Sequence, residues 1–380
     1  MTQTEPKPEA SGTPEDLPDL VDRTLSDEEL TDLVDAELTP ATVTYSTQDF
    51  DIAGLVSRLN RGSMLIPNYG NDDPRIVTAG FQRGFVWTKA QMDRFIESLL
   101  LGYPIPGIFL VKQTTDNRML VLDGQQRLVT LQKFYNGIHS GREFTLQYVG
   151  QEFQGLTYKT LEEGLRYKLD DSYMQATIVV ADGSNELNSA VYQIFERLNS
   201  GGTQLTPHEI RVALYAGPFM TFLEQLNVDE GWRALYGPPS ARIRDQEVIL
   251  RTLALFLDVD SYSRPLKGFL NSFTARHMAA DDAVRSAGQL FLQACRLLAE
   301  GPGRSAFRKY SSGQVNAAQA EAVLVGIMRA LQEGNLTGNL GDSLGNLLAS
   351  EEFEAVTSRS TAGREAVIER VALATQAFAA

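Results

Sequence analysis

Two hydrophobic patterns divide the chain. Between about Phe50 and Val180, short apolar runs alternate with polar turns, and several of these runs are too short for a helix. Beyond about Asn185, apolar residues recur every three or four positions without strand-like alternation. We therefore predict an α+β fold, with a small mixed α/β core at residues 46–184 and an all-helical domain at residues 185–380.

Capping residues mark the helix starts. Asp51 can cap a helix that ends at a Gly-containing turn, and Thr88 with Gln91 matches a capping box. In the helical half, Thr206 precedes a proline and has Glu209 three positions later, which is a strong helix start. These patterns predict one helix at each site.

Short apolar runs predict the strands. Ile108 to Lys112 and Met119 to Leu122 are separated by polar residues and indicate a β-hairpin, which a helix follows at once. Phe144 to Tyr148 alternates as in a half-buried strand, and Met174 to Val180 is a further strand candidate.

The net charge of −14 is concentrated at the start of the chain. Residues 1–40 carry twelve Asp and Glu against Lys7 and Arg23, a net charge of −10, which leaves −4 for the other 340 residues. We predict that residues 1–45 form an acidic disordered tail. Within it, a capping-box pattern that runs into apolar residues, Ser26 to Leu38, indicates either a transient helix or an acidic docking peptide. The total charge is therefore no argument against a phosphate-binding body.

Several kinds of chemistry are not indicated. The chain has one cysteine and three scattered histidines, so we expect neither a disulfide nor a zinc cage, and a cytoplasmic location. Because no run of about 18 apolar residues occurs, we expect no membrane contact. A phosphate loop of the Gly-Lys-Ser/Thr type is also missing from the sequence. His208 follows the proline of a capped helix, and we expect it to be solvated.

The segment Leu122 to Leu128, with the sequence Leu-Asp-Gly-Gln-Gln-Arg-Leu, lies between a predicted strand and a predicted helix. Asp123 can cap the helix, Gly124 permits close approach, and the helix start attracts anions, to which Arg127 offers a planar fork. The alternative is structural: Asp123 caps the helix and pairs with Arg127, while the glutamines are solvated. These residues alone support both interpretations equally.

Two further clusters carry polar side chains in an apolar setting. Gln82 and Arg83 lie between aromatic residues just before the Thr88 cap; the alternative is a surface cation beside core aromatics. Arg197 and Asn199 precede a double-glycine turn that could present backbone N–H groups to an anion, or simply end a helix.

Together these segments resemble a known family, the GmrSD-type restriction-enzyme N-terminal domain, a component of prokaryotic anti-phage systems. The resemblance rests on Phe81 to Arg83 with Trp87, Ser98 to Pro106, Asp123 to Leu128, and Arg197 to Gly202 with Leu205. It implies a ParB/sulfiredoxin-like core before a helical domain, and nucleotide binding and hydrolysis. The nucleotide-binding residues it implies are Gln82, Arg83, Gly124, Gln125, Gln126, Arg127, Arg197 and Asn199.

A mechanism follows as an expectation from this resemblance. Arg83 and Arg127 would stabilise phosphoryl charge, and Asp123 would bind Mg²⁺ or orient the attacking water. Gln126, or its neighbour Gln125, would position that water or the phosphate. The leading hypothesis is thus an NTP hydrolase that uses Mg²⁺ and regulates a separate nuclease.

Two departures from the family pattern leave alternatives open. Ala79-Gly80 stands where the family usually has a proline, and no His-Asn-His-type nuclease module follows. We expect DNA cleavage to need a separately encoded nuclease or another defence-system subunit. The alternatives are a non-catalytic DNA or nucleotide sensor, and a DNA nuclease that uses Asp123. DNA and a second copy of the chain are further candidate partners.

Overall fold

A computed structural model describes ten stretches of the chain. They are residues 43–67, 78–79, 87–113, 117–181, 190–194, 206–215, 217–240, 242–308, 313–358 and 361–380. The capping-box pattern at Ser26 to Leu38 lies outside the described residues, so the alternatives for it stay open.

The first half contains eight strands and four α-helices within its described residues. In chain order they are β1 (Tyr45–Asp51), α1 (Ile52–Asn60), β2 (Met64–Pro67), β3 (Thr78–Ala79), α2 (Lys89–Leu101), β4 (Ile108–Gln113), β5 (Met119–Asp123), α3 (Gln125–Asn136), β6 (Ile138–His139), β7 (Arg142–Glu143), α4 (Glu163–Asp170) and β8 (Tyr173–Ala181). The predicted caps of α1 and α2 are confirmed: Asp51 accepts a hydrogen bond from Gly54 N at 2.6 Å, and Thr88 with Gln91 forms a capping box.

Six of these strands form one mixed sheet in the order β1-β8-β4-β5-β2-β3. The predicted hairpin is confirmed, since β4 and β5 pair antiparallel. Strand β8 pairs antiparallel with β1 and parallel with β4, while β2 pairs parallel with both β5 and β3. The middle of the sheet therefore joins strands that are distant in sequence.

The sheet lies between two hydrophobic clusters. Leu120 and Leu122 of β5 belong to a cluster shared with the second half of the chain, whereas Val121 between them belongs to a cluster with α1 to α4. Strand β8 divides in the same way, with Ile178 and Val179 on opposite sides. Because successive side chains of a strand point to opposite faces, both faces of the sheet are covered.

The second half contains α-helices and short 3₁₀ turns within its described residues. The helices are α5 (Pro207–Leu214), α6 (Pro218–Asn227), α7 (Glu230–Tyr236), α8 (Arg244–Asp258), α9 (Leu266–Arg276), α10 (Asp282–Glu300), α11 (Ala317–Glu333), α12 (Leu340–Ala349), α13 (Glu351–Ser358) and α14 (Arg364–Phe378). The α+β class is thus confirmed. The division at residues 45 and 184, and the ParB/sulfiredoxin-like core, stay predictions.

The strand predicted at Phe144 to Tyr148 is wrong. Phe144 and Leu146 are buried as the alternation suggested, but residues 144–147 have no strand partner. The backbone N–H groups of Gln147 and Tyr148 instead donate to the buried carboxylate of Asp93, at 2.9 and 3.1 Å. Leu146 pairs through its backbone with Gly155 and Leu156, so the segment is held by a turn and by a side chain on α2.

No helix within the described residues has both the length and the apolar character that crossing a membrane would require.

Candidate functional site

The turn from β5 into α3 is built around one glycine. Asp123 ends β5, and Gly124 is the N-cap of α3 with a φ of 92°. A Cβ atom at Gly124 would overlap the Cγ2 atom of Ile108 as well as strain the left-handed backbone. The expectation that Asp123 caps α3 is wrong, because the glycine turn begins the helix one residue later and no side chain caps it.

Asp123 and Arg127 form an ion pair across the first turn of α3. Arg127 Nη2 donates to Asp123 Oδ2 at 3.0 Å, which confirms the predicted pairing four residues apart. The two side chains differ in accessibility, since that of Asp123 is 47% exposed and that of Arg127 is 13% exposed. The Asp123 carboxylate is therefore more accessible to solvent, or to a ligand, than the Arg127 guanidinium.

The other terminal nitrogen of the Arg127 guanidinium bonds to the loop before β4, which contains Pro104-Ile105-Pro106. Arg127 Nη1 donates to the carbonyl oxygen of Pro106, and also to that of Gly107 at 2.9 Å. Burial lowers the pKa of Arg127, and attraction to Asp123 acts in the opposite direction. Arg127 thus fixes the loop that enters β4 against the start of α3.

The two glutamines of the block also make contacts within the protein. Gln125 is buried, and its Nε2 donates to Val121 O at 3.2 Å. Gln126 Oε1 accepts a hydrogen bond from Trp87 N at 3.3 Å. Trp87 in turn packs edge-on against Phe95, with ring centroids 5.5 Å apart. The interpretation of both glutamines as solvated is therefore wrong: they connect α3 to β5 and to the segment that enters α2.

Four residues of the predicted site lie outside the described residues, and their roles stay predictions. They are Gln82, Arg83, Arg197 and Asn199. The described chain resumes at Trp87, the residue that Gln126 holds against α3.

The arrangement presents an anion-attracting helix start beside one accessible carboxylate. The first intrahelical hydrogen bond of α3 runs from Leu128 N to Gly124 O, at 3.0 Å, so the backbone N–H groups of the first turn have no acceptor within the helix. These groups carry the positive end of the helix dipole. Such a helix start can bind phosphate oxygens without a cationic side chain.

The residues present fit Mg²⁺ only as a complex with a phosphate ligand. Asp123 Oδ2 faces Arg127, which leaves Oδ1 as the carboxylate oxygen able to bind a cation. Among the residues that the structure describes, no group of three or more His, Cys, Asp or Glu could hold a metal. Mg²⁺ in nucleotide sites commonly uses one or two carboxylates, with phosphate oxygens and water as the other ligands. Asp123 can serve as one such ligand.

His208 lies in an environment that its local sequence did not indicate. The capping box that starts α5 is confirmed, but the expectation of a solvated His208 is wrong, because the residue is fully buried. Its ring contacts Gln246 Oε1 at 3.2 Å and Arg211 Nη1 at 3.1 Å. Burial lowers the pKa of His208 to about 3, so the ring is neutral at pH 7.

Residues 55–216 match the family described as GmrSD restriction endonuclease, N-terminal domain. The chain carries a GmrSD N-terminal domain. The match indicates a component of a restriction system. No curated protein and no solved structure matches the chain.

The GmrSD N-terminal domain begins within α1 and ends just after α5. It includes the whole Asp123 to Arg127 block and the buried side chains of His208 and Arg211. Helices α6 to α14 lie outside the match, although their apolar residues share a cluster with the sheet.

Proposed function

We propose that the chain binds a nucleoside triphosphate with Mg²⁺ at the start of α3 and hydrolyses it as part of a restriction system. The observation that carries the proposal is the accessible carboxylate of Asp123, which Arg127 holds beside a helix start that no side chain caps. Phosphate oxygens would accept hydrogen bonds from the first-turn N–H groups, and Asp123 would bind Mg²⁺ or orient water.

The contacts of Arg127 favour a positioning role for this side chain. Its guanidinium already donates to Asp123 and to the carbonyl groups of Pro106 and Gly107. Charge stabilisation at the phosphoryl group would then depend more on Arg83, the other arginine that the family resemblance implies. Regulation of a separately encoded nuclease, direct DNA contact, homo-oligomer formation and a cytoplasmic location remain parts of this proposal.

Binding without hydrolysis is the second candidate function. It is favoured by the same contacts of Arg127, because an arginine bonded to the protein on both of its terminal nitrogens has less to offer a developing charge. A sensor of this kind would bind nucleotide or DNA phosphates and recruit the nuclease.

The proposal is tested by incubating the purified full chain with each NTP and dNTP, with Mg²⁺, in the presence and absence of DNA. Asp123→Asn should lower turnover about 100-fold or more, which is the range for loss of an acid–base or water-orienting group. Since the side chain is 47% exposed and asparagine still accepts from Arg127, the folded state should persist. Asp49→Asn, at an exposed position on β1, is the matched control.

Arg127→Ala distinguishes positioning from direct catalysis. Loss of its bonds to the loop should lower both turnover and thermal stability, whereas a purely catalytic arginine would lower turnover alone. Saturable nucleotide binding without product would favour the sensor. Unchanged hydrolysis in Asp123→Asn would remove this block from the mechanism, and plasmid nicking that disappears in the same variant would favour a nuclease.

A further inference from the structure

Two arginines meet beside the C-terminal end of α7. Arg304 lies in a 3₁₀ turn, and Arg308 directly follows that turn. If Gly237, the residue after α7, carried a Cβ atom, the Nη2 atoms of Arg308 and Arg304 would lie 3.9 and 4.0 Å from it. The two guanidinium groups are therefore neighbours.

Backbone carbonyl groups hold both arginines in place. Arg304 Nε donates to Ala234 O at 3.1 Å. Arg308 donates through Nη1 to Leu235 O at 2.7 Å and through Nη2 to Tyr236 O at 2.5 Å. All three acceptors belong to the last turn of α7, where arginine side chains commonly bond to unpaired carbonyl groups. These contacts fix the positions of the two positive charges.

The carbonyl groups do not balance these charges. The C-terminal end of a helix carries about half a negative charge, whereas two guanidinium groups carry two positive charges. Neither Arg304 nor Arg308 forms an ion pair with a described residue, although Glu300 lies only four residues before Arg304. Burial and then the charge of Arg304 lower the pKa of Arg308, while Tyr236 acts in the opposite direction. Positive charge therefore remains at this end of α7.

Both arginines also keep N–H groups that the described residues do not use. A guanidinium has five N–H donors. Arg308 makes four hydrogen bonds, since it also donates to the carbonyl oxygens of Gly313 and Arg304, and this leaves one N–H group on Nη2. Arg304 is exposed and donates through Nε, so its two terminal nitrogens are available to a ligand in solvent.

A third arginine lies farther along the same helix. A Cβ at Gly231 would lie 3.4 Å from the backbone nitrogen of Arg296 on α10. Gly231 and Ala234, the residue that Arg304 contacts, are three positions apart and thus share one face of α7. From Gly231 to Gly237 a helix rises about 9 Å. Arg296 is exposed, and it too forms no ion pair with a described residue.

The row of three arginines suits a ligand with several closely spaced negative charges. Each strand of DNA carries one phosphate per about 3.4 Å of helix axis, so two or three phosphates fit a row of about 9 Å. Guanidinium groups bond well to phosphate oxygens, and such contacts do not depend on base sequence.

We propose that Arg296, Arg304 and Arg308 bind the phosphate backbone of DNA. The inference deepens the direct DNA contact that the proposed function includes, and it rests on that part alone. The three arginines lie in the helical half, outside the matched residues 55–216. Binding of DNA there requires neither the Asp123 carboxylate nor nucleotide turnover.

Fluorescence anisotropy with labelled DNA duplexes tests the proposal, with the full chain, without Mg²⁺ and over a series of salt concentrations. Arg304→Gln should weaken binding about threefold to tenfold at low salt and reduce the slope of log affinity against log salt by about one, as expected for one lost phosphate contact. Arg296→Gln should have the same effect. The loss should be equal on duplexes of unrelated sequence. Since both side chains are exposed, both variants should melt close to the wild-type temperature.

Arg94→Gln is the matched control, because it removes an exposed positive charge from α2 and should keep the wild-type affinity and salt dependence. Asp123→Asn separates this inference from the proposed turnover, since it should lose hydrolysis and keep the binding of DNA. DNA binding that depends on Arg304, in a wild-type chain that hydrolyses no nucleotide, would support this site and remove the turnover. Absence of DNA binding by wild type at low salt, an unchanged salt dependence in the Arg296 and Arg304 variants, or an equal loss in Arg94→Gln would overturn the proposal.

Discussion

Arg127 connects three parts of the chain through one guanidinium. Arg127 lies in the first turn of α3. Its guanidinium bonds to Asp123 at the end of β5, and to the carbonyl groups of Pro106 and Gly107 in the loop before β4. A ligand phosphate that took over this guanidinium would have to break these bonds. The accessible chemistry at the residue scale is therefore the Asp123 carboxylate, and Arg127 sets its position.

His208 should make the protein less stable in mild acid. Its pKa is about 3 in the folded protein against an ordinary value of 6.5, so between these values the unfolded state binds the extra proton. The contribution of His208 to stability should be constant above pH 6.5 and fall by roughly 1 kcal/mol per pH unit below it. Glu247, with a pKa near 2 against 4.5, adds to the loss only below about pH 4.5.

Urea unfolding at a series of pH values measures this dependence. His208→Gln should reduce the slope of the curve between pH 6.5 and 4.5, even if its absolute stability differs. Burial also lowers the pKa of His139, which accounts for a remaining slope. A wild-type curve that is flat across this window would contradict the assignment of a buried neutral ring.

Arg127 and His208 show which side-chain contacts can be predicted from the local sequence and which cannot. The Asp123–Arg127 pair is predictable because a helix brings residues four apart onto one face. The burial of His208 is not predictable in this way, because one of its partners, Gln246, is 38 residues away on α8. A cap and a proline indicate where α5 begins, but not which helices will cover it.

At the scale of elements, helix α3 offers a matched pair of glycines, one at each end. Gly124 and Gly137 both have left-handed backbones, with φ of 92° and 75°. A Cβ at Gly124 would overlap Ile108, whereas a Cβ at Gly137 would meet nothing within 4 Å. Gly124→Ala should therefore cost about 2–4 kcal/mol of unfolding free energy, and Gly137→Ala only about 1–2 kcal/mol.

Chemical denaturation of the two variants separates backbone strain from overlap. The overlap with Ile108 is the main difference between them, so in a double-mutant cycle Gly124→Ala should cost less in an Ile108→Ala background than in the wild-type background. Equal losses in the two glycine variants would show that the tight approach of β4 to the start of α3 is not important for stability.

Elements were predictable where their signals are local. The caps at Asp51, Thr88 and Thr206 each satisfy backbone N–H groups within three residues, so their sequence patterns suffice. The order of the sheet was not predictable in this way. Strand β8 is inserted between β1 and β4, and this pairing depends on chain segments more than 60 residues apart.

For the whole molecule, the sheet connects the family domain to the helical half. Leu120 and Leu122 of β5 share a hydrophobic cluster with helices far beyond residue 216, while Asp123 follows directly on the same strand. The candidate site is therefore supported from both faces of the sheet. The sequence indicated two regions, but the apolar alternation of a single strand could not show that both would pack on it.

The acidic residues at the start of the chain should weaken the binding of polyanions. Deleting residues 1–40 changes the net charge from −14 to −4, and the weaker repulsion of polyanions should raise the affinity for NTP and DNA on the order of threefold to tenfold at low salt. At about 1 M salt the Debye length is only about 3 Å, so the difference should disappear. Binding titrations at both salt concentrations measure this effect.

A full-length variant with Asn and Gln in place of the twelve acidic residues is the control, and it should behave like the deletion if charge is the cause. If affinities for nucleotide, DNA and partner proteins are unchanged at low salt, the acidic segment serves only as a solubilising linker.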